Sequence, residues 1–170
     1  YSHKTDSKPV FNASYTSLKT NSGDIHIADI EANTLTVKTT SGDISISNGS
    51  FTTKLELHAS SGDIQLNHIT TDQAEFYTTS GYVSASDITA NTSLSSNTTS
   101  GDIDMSITAA DAISISATSG DIDLDLASDP SYNFLADTQS GDVDIPHGAN
   151  YSEYECGVST TSGDIRIRQE

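Results

Sequence analysis

The chain has few of the residues on which many kinds of site depend. Its 170 residues include one Cys, one Met, three Pro and no Trp. A single cysteine, Cys156, excludes an internal disulfide framework and a cysteine-rich metal site. Basic residues are also scarce, since seven Lys and Arg against 24 Asp and Glu give a net charge of −17. This charge repels a phosphate backbone and excludes nucleic-acid binding.

Long hydrophobic runs are missing as well. Apolar residues make up 34% of the chain and come only a few at a time, so the sequence contains no membrane span and no signal peptide. Ser and Thr account for 28 and 22 residues, but Ile, Val and Leu are spread evenly, which indicates a folded chain. The chain begins with Tyr1 instead of Met, and we expect a processed piece of a longer, anchored precursor.

A tetrapeptide motif recurs along the whole chain. Ser-Gly-Asp-Ile, with Ser-Gly-Asp-Val at Ser140 and Ser-Gly-Tyr-Val at Ser80, starts eight times at steps of 19 to 22 residues. Such a fixed period is the signature of a repeat architecture. The motif residues to which we assign a structural role are Gly23, Asp24, Gly42, Asp43, Gly62, Asp63, Gly101, Asp102, Gly120, Asp121, Gly141, Asp142, Gly163 and Asp164.

The residues around each motif alternate between apolar and polar. Ile25 and Ile27 flank His26 after the first motif, and Leu35, Val37 and Thr39 lead up to the second. A period of two predicts strands with one buried face, and no stretch has the 3.6-residue period of a helix. The glycine of the motif permits the sharp turn that resets this alternation. The sequence is therefore predicted to be all-β.

Stacking of these repeats predicts a single-domain parallel β-solenoid, or β-helix, of about eight rungs, each rung being one turn of about 20 residues. We expect each rung to lie over its predecessor in the chain, in a right-handed coil. An antiparallel sandwich is the alternative, but it does not require the same tetrapeptide at every second turn. Residues 1–21 are predicted to form a leader or cap and a partial first rung, and residues 22–170 the repeat domain.

Two irregular parts of the chain carry further expectations. Residues 128–134 and 146–155 are the longest insertions and are expected to bulge from one corner. Arg166 and Arg168 are predicted to face outward on the last strand, where charged side chains protect a solenoid end against edge pairing.

The run Thr-Thr-Ser-Gly-Asp-Ile, complete at residues 39–44 and 160–165, resembles a bacterial family of adhesin-type repeat domains of unknown function, found in cell-envelope proteins. The resemblance extends over residues 20–168, with Tyr82 as a departure in the Asp position. It implies a β-helical fold, a position outside the cytoplasmic membrane, often behind an anchor, and no established enzyme activity.

Stacked motif carboxylates repel one another unless something compensates. One interpretation is local, with each carboxylate accepting hydrogen bonds from backbone N–H groups or from Ser and Thr hydroxyls. The other is weak calcium binding, because hard cations favour clustered carboxylate oxygens. The candidate ligands are Asp102, Asp104, Asp121, Asp123, Asp142 and Asp144. Apart from this weak calcium, we expect no cofactor.

Other candidate chemistry is sparse. The five His fall in different columns, so no zinc-ligand spacing occurs, and Cys156 falls in a core column. No carboxylate is marked as a catalytic acid, so we expect no enzyme activity. Tyr82 and Tyr77 are candidates for a small aromatic contact with a sugar or a protein.

These observations lead to one functional expectation with two alternatives. We expect a non-enzymatic, extracellular β-helical surface protein, anchored in its precursor, that serves adhesion or envelope interaction with an unknown protein or glycan. One alternative is a sensory or regulatory ectodomain in envelope-stress signalling. The other is a polysaccharide-active β-helix enzyme.

Overall fold

The period-two columns form the inner wall of a parallel β-solenoid, which confirms the predicted fold class. The computed structural model describes residues 14–147 and 152–169. Within these ranges the chain forms no helix, and therefore none long and apolar enough to cross a membrane. The strands are β1 (Thr16–Ser22), β2 (Ile25–Ser41), β3 (Ile44–Ser61), β4 (Ile64–Ser80), β5 (Val83–Ser100), β6 (Ile103–Ser119), β7 (Ile122–Leu126), β8 (Asn133–Ser140), β9 (Val143–Asp144), β10 (Glu155–Ser162) and β11 (Ile165–Gln169).

Equivalent residues of successive rungs pair in register. Ile25 lies beside Ile44, Ile44 beside Ile64, and Ile64 beside Val83. Ile44 and Ile64 have no exposed surface, and the aliphatic columns join into one continuous core. A single rung cannot cover its own apolar face, so the core forms only because neighbouring rungs cover each other.

Each long strand bends twice within its rung. In β2 to β5 the first bend has a left-handed residue, namely Asp29, Asn48, His68 and Asp87 in that order, with φ of 54° to 59°, and β6 has none. Asn, Asp and His adopt this conformation more readily than other residues with a side chain. The second bend is a register shift, such as the one between Phe51 and Lys54. Both bends turn the chain and keep the inner columns aligned.

A partial rung precedes the first motif. Strand β1 pairs with β2 and places Leu18 beside Val37. Leu18 is exposed, since no described rung covers it from the other side. The predicted leader lies mostly at residues 1–13, outside the described residues.

The last two rungs do not follow the order of the chain. Strand β10 lies between β6 and β8, and β11 lies between β7 and β9. The rung of the last motif is therefore inserted between the rungs of Ser119 and Ser140. The expectation that every rung lies over its predecessor is correct as far as Ser119 and wrong beyond it.

Burial and charge both explain this exchange. The inserted rung has apolar inner residues, including Cys156, Val158 and Ile167, that are at most 3% exposed between two neighbours. The terminal rung, by contrast, leaves Val143 of the corresponding inner column 42% exposed. In chain order Asp123 would lie beside Asp144, but the insertion places Arg166 between them. This separates two like charges that would otherwise be cross-strand neighbours.

The insertion at residues 128–134 does not simply bulge from its corner. Tyr132 is 1% exposed, and its hydroxyl donates to the Ala110 carbonyl oxygen at 2.9 Å while accepting from the Ala110 N–H at 3.2 Å. The insertion therefore buries a side chain at the point where β7 ends. Within the second insertion, residues 148–151 lie outside the described residues.

Candidate functional site

The motif carboxylates form a ladder that runs from rung to rung. Six of the seven accept a hydrogen bond on Oδ1 from the backbone N–H of the corresponding motif residue in the neighbouring rung, and the seventh, Asp142, lies in the terminal rung. The Asp63 N–H donates to Asp43 at 2.8 Å, and the Tyr82 N–H donates to Asp63 at 2.8 Å. The carboxylates that accept in this way are Asp24, Asp43, Asp63, Asp102, Asp121 and Asp164, at 2.8 to 3.0 Å. These bonds compensate the repulsion within the column.

The motif glycine is required by its close approach to the rung before it. A Cβ atom on Gly62 would lie 2.1 Å from the Gly42 carbonyl oxygen, and the φ of Gly62 is +146°. Both the contact and the left-handed conformation exclude a side chain. The motif Ser-Gly-Asp is thus a structural unit in which glycine allows the approach and aspartate satisfies the next N–H.

Two outward surfaces of the solenoid lie on either side of the corner formed by the Ser-Gly-Asp motif, and we name them the front face and the rear face. The front face follows the motif and contains the outward side chains of His26, Ser45, Gln65, Ser84, Asp104, Asp123, Arg166 and Asp144, in stacking order. The rear face precedes the motif and contains Lys38, His58, Tyr77, Asn97, Ser116, Ser159 and Asp137.

The predicted calcium ligands lie on the front face and its corner, but arginines lie among them. Arg168 contacts Asp123 at 2.9 Å and Asp125 at 2.8 Å, and Arg166 lies 3.6 Å from Asp123. Arg166 and Arg168 both face outward, as predicted. The expectation that Arg166 lies at the end of the solenoid was wrong, because β11 pairs at Arg166 with β7 on one side and with β9 on the other. Instead they neutralise the carboxylates with which they pair.

The structure separates the six predicted ligands by role. Oδ1 of Asp102 and of Asp121 accepts a ladder bond, and Asp104 accepts from the Tyr82 hydroxyl. Asp142 and Asp144 line a depression of about 230 Å³ together with Asp121, Asp123, Asp164 and Arg166. In the described residues no three Asp, Glu, His or Cys side chains are grouped so as to hold a metal ion. Weak calcium binding at these residues stays a prediction.

Tyr82 replaces the motif aspartate and lies across the front face. Its hydroxyl donates to Asp104 Oδ2 of the next rung at 3.0 Å. Burial, and to a smaller extent this hydrogen bond, raises the pKa of Tyr82 to about 12. Tyr82 closes one end of a groove of about 310 Å³ whose outward lining is Ser45, Ser47, Gln65, Asn67, Ser84 and Ser86.

Tyr77 belongs to a different surface. On the rear face its ring lies 5.7 Å from the His58 ring, centroid to centroid. Beside this pair, Lys54 contacts Glu75 at 2.7 Å, and Glu56 contacts Lys38, Lys54 and His58. The hydrogen bond to Glu75 raises the pKa of Lys54. Burial by itself would raise the pKa of Glu56, but hydrogen bonds from Lys38 and His58 outweigh it, so that pKa is lowered.

Cys156 is buried in an inner column of the inserted rung. Burial raises the pKa of its thiol to about 12. A thiol in this environment stays protonated near neutral pH and is therefore a poor nucleophile.

Sequence reasoning missed two sets of residues. One set lines the groove beside Tyr82, and the other is the column of left-handed residues at the first bend. Gln65 and Asn67 have the pattern of ordinary outward residues, and only their position beside Tyr82 marks them. The bend residues had a usable signal, because an Asn, Asp or His recurs seven residues after the motif serine in four successive repeats.

Comparison with known proteins identifies one family. The family model described as Toastrack DUF4097, a repeat domain of unknown function, matches residues 9–168. No curated protein and no solved structure matches the chain.

Proposed function

Since the chain belongs to the Toastrack family of repeat domains, we propose that it is a non-enzymatic, adhesin-type binding module displayed outside the cell. Its role is attachment or envelope interaction through the outward faces of a rigid solenoid. The expectation of a surface position comes from the Thr-Thr-Ser-Gly-Asp-Ile repeats, which resemble those of cell-envelope proteins.

The observation that carries the proposal is the structural use of the motif carboxylates. Six of the seven accept a hydrogen bond from a backbone N–H of the neighbouring rung, so the stacking of the rungs accounts for their recurrence along the chain. Glycoside hydrolysis, the chemistry of the enzyme alternative, needs two carboxyl groups set apart for acid and base roles. What the repeat offers a partner is an extended polar surface of fixed shape, which solenoids commonly use for binding.

Antibody labelling of intact and permeabilised producing cells tests the display of the protein. We expect equal labelling in both, and labelling only after permeabilisation would contradict the proposal. Deletion of the gene should lower attachment of the cells to their growth surface, and the wild-type gene should restore it. A deletion that changes envelope-stress transcription but leaves attachment intact would favour the sensory alternative.

The enzyme alternative has its own assay. Purified protein is incubated with a panel of polysaccharides, and the released reducing ends are measured. We expect no release above that of a boiled control, and release by the native protein would overturn the non-enzymatic part of the proposal.

A further inference from the structure

Tyr82 interrupts a structural repeat without an evident structural gain. The motif has Asp at this position in seven of its eight occurrences. With Tyr82 the rung supplies no carboxylate to the Asp102 N–H, and the phenol donates to Asp104 instead. Positions that break the local rule of a fold without compensation are expected at functional sites. The surroundings of Tyr82 are therefore the first place to look for a ligand.

The groove beside Tyr82 spans three rungs of the front face. Ser45 pairs with Gln65, and Gln65 pairs with Ser84, so the three side chains form a row across the rungs. At about 4.8 Å per rung the row is about 10 Å long. Ser47, Asn67 and Ser86 form a second row parallel to the first. The Tyr82 ring closes the end of the groove that lies toward Asp104.

The lining of this groove has the chemistry of a ligand rich in hydroxyl groups. Serine hydroxyls and the amides of Gln65 and Asn67 each donate and accept hydrogen bonds, as a sugar hydroxyl does. An aromatic ring adds a flat apolar surface on which the apolar face of a sugar ring packs. The two rows and the ring together present both kinds of contact within three rungs.

Charge and burial exclude other ligand classes from the groove. Its six outward Ser, Gln and Asn side chains are uncharged. The Tyr82 phenol, with a pKa of about 12, is also uncharged near neutral pH. With a net charge of −17 the protein repels phosphates and acidic sugars. Ile46 and Leu66, which lie beneath the groove, are only 1% and 4% exposed and offer no apolar pockets for peptide side chains. An extended peptide would instead add to an unpaired strand edge.

We infer that the groove formed by Tyr82, Gln65, Asn67 and the neighbouring serines binds a neutral oligosaccharide. This inference rests on the proposed function, since it names the ligand class of a surface-binding module. The Tyr82 ring stacks on one sugar unit, and the two amides bind the hydroxyls of the next. Binding is non-covalent and involves no change in the sugar.

Titration of the purified chain with a panel of oligosaccharides tests the inference. The panel contains neutral oligomers of glucose, N-acetylglucosamine, mannose and galactose, with a sialylated oligosaccharide as the charge control. Binding is followed by calorimetry and by amide chemical shifts of the 15N-labelled protein. We expect saturable binding of at least one neutral member, shifts confined to the front face, and no binding of the sialylated one.

Four variants separate ring stacking from a structural effect. Tyr82→Asp restores the repeat's own residue and its ladder carboxylate, so it should fold normally and lose affinity about tenfold or more. Tyr82→Phe keeps the ring and should retain binding. Gln65→Ala should weaken binding several-fold, whereas its control, Gln73→Ala, lies outside the groove and should leave binding unchanged.

The inference is overturned if no neutral member binds at millimolar concentration, or if Tyr82→Asp folds and binds as the wild type does. Either result leaves the proposed function standing when cells still display the protein and attach through it. Absence of the protein from the cell surface would refute the proposed function, whatever the groove binds.

Discussion

Two threonines in one inner column predict opposite responses to the same substitution. Thr78 and Thr98 are cross-strand neighbours, and they are 0% and 1% exposed. The Thr78 hydroxyl donates to the Gly62 carbonyl oxygen at 3.3 Å, whereas the Thr98 hydroxyl has no partner among the described residues. Replacing threonine with valine keeps the shape of the side chain and removes only the hydroxyl.

The expected magnitudes follow from the hydrogen bonds. A buried polar group without a partner costs about 1 to 3 kcal/mol, so Thr98→Val should stabilise the protein by roughly 1 kcal/mol. Thr78→Val removes a hydrogen bond worth about 0.5 to 1.5 kcal/mol and should destabilise by that amount. In a chain of this size, 1 kcal/mol corresponds to about 2 to 4 °C in Tm. Thermal melting followed by circular dichroism should show shifts of opposite sign, and shifts of the same sign would refute the reasoning.

Three further predictions concern the motif, the rear face and the acidic residues. Gly62→Ala should destabilise the protein by roughly 3 kcal/mol or more in urea unfolding. The control Gly157→Ala, whose Cβ would lie 3.8 Å from its nearest neighbour, should cost little stability. Equal losses of stability in the two variants would contradict the close-approach argument. The pKa of Glu56 is lowered from its ordinary value of 4.5. The ionised Glu56 carboxylate therefore stabilises the folded protein above pH 4.5, and this stabilisation is lost as the pH falls through the lowered pKa. Glu56→Gln should flatten the pH dependence of Tm below about pH 5, whereas the control Glu31→Gln should not. Addition of calcium or of a chelator should shift Tm by less than about 1 °C, because Arg166 and Arg168 already pair with Asp123 and Asp125. A rise in Tm of several degrees on addition of calcium would show a calcium site at these carboxylates.

Most of the fold could be predicted because one pattern recurs in every rung. Ile25, Ile44 and Ile64 share a position relative to the motif, and burial of their column requires them to stack. The order of the last two rungs could not be predicted in this way. Every motif fits every other motif equally well, so spacing alone does not choose between neighbours. Arg166 and the well-buried inner residues of its rung decide the choice through contacts between distant parts of the chain.

The candidate groove was only partly visible in the sequence. Tyr82 could be recognised as a departure from the motif. The hypothesis that it forms one aromatic contact site with Tyr77 was wrong, since Tyr82 contacts Asp104 on the front face and Tyr77 contacts His58 on the rear face. Gln65 and Asn67 alternate with buried residues as any outward residue does. Their role depends on which rungs lie beside them, and that is set by tertiary packing.

Disulfide trapping tests the stacked-rung account most directly, at the point where it departs from chain order. Ser159 lies beside Ser116 on one side and beside Asp137 on the other. Adjacent rungs, about 4.8 Å apart, allow a disulfide, and rungs about 10 Å apart do not. Cys156, buried with a pKa of about 12, does not compete. We predict that the double variant Ser116→Cys with Ser159→Cys oxidises to an intramolecular disulfide, and that Ser116→Cys with Asp137→Cys stays reduced. The reverse result would show rungs stacked in chain order and would contradict the account.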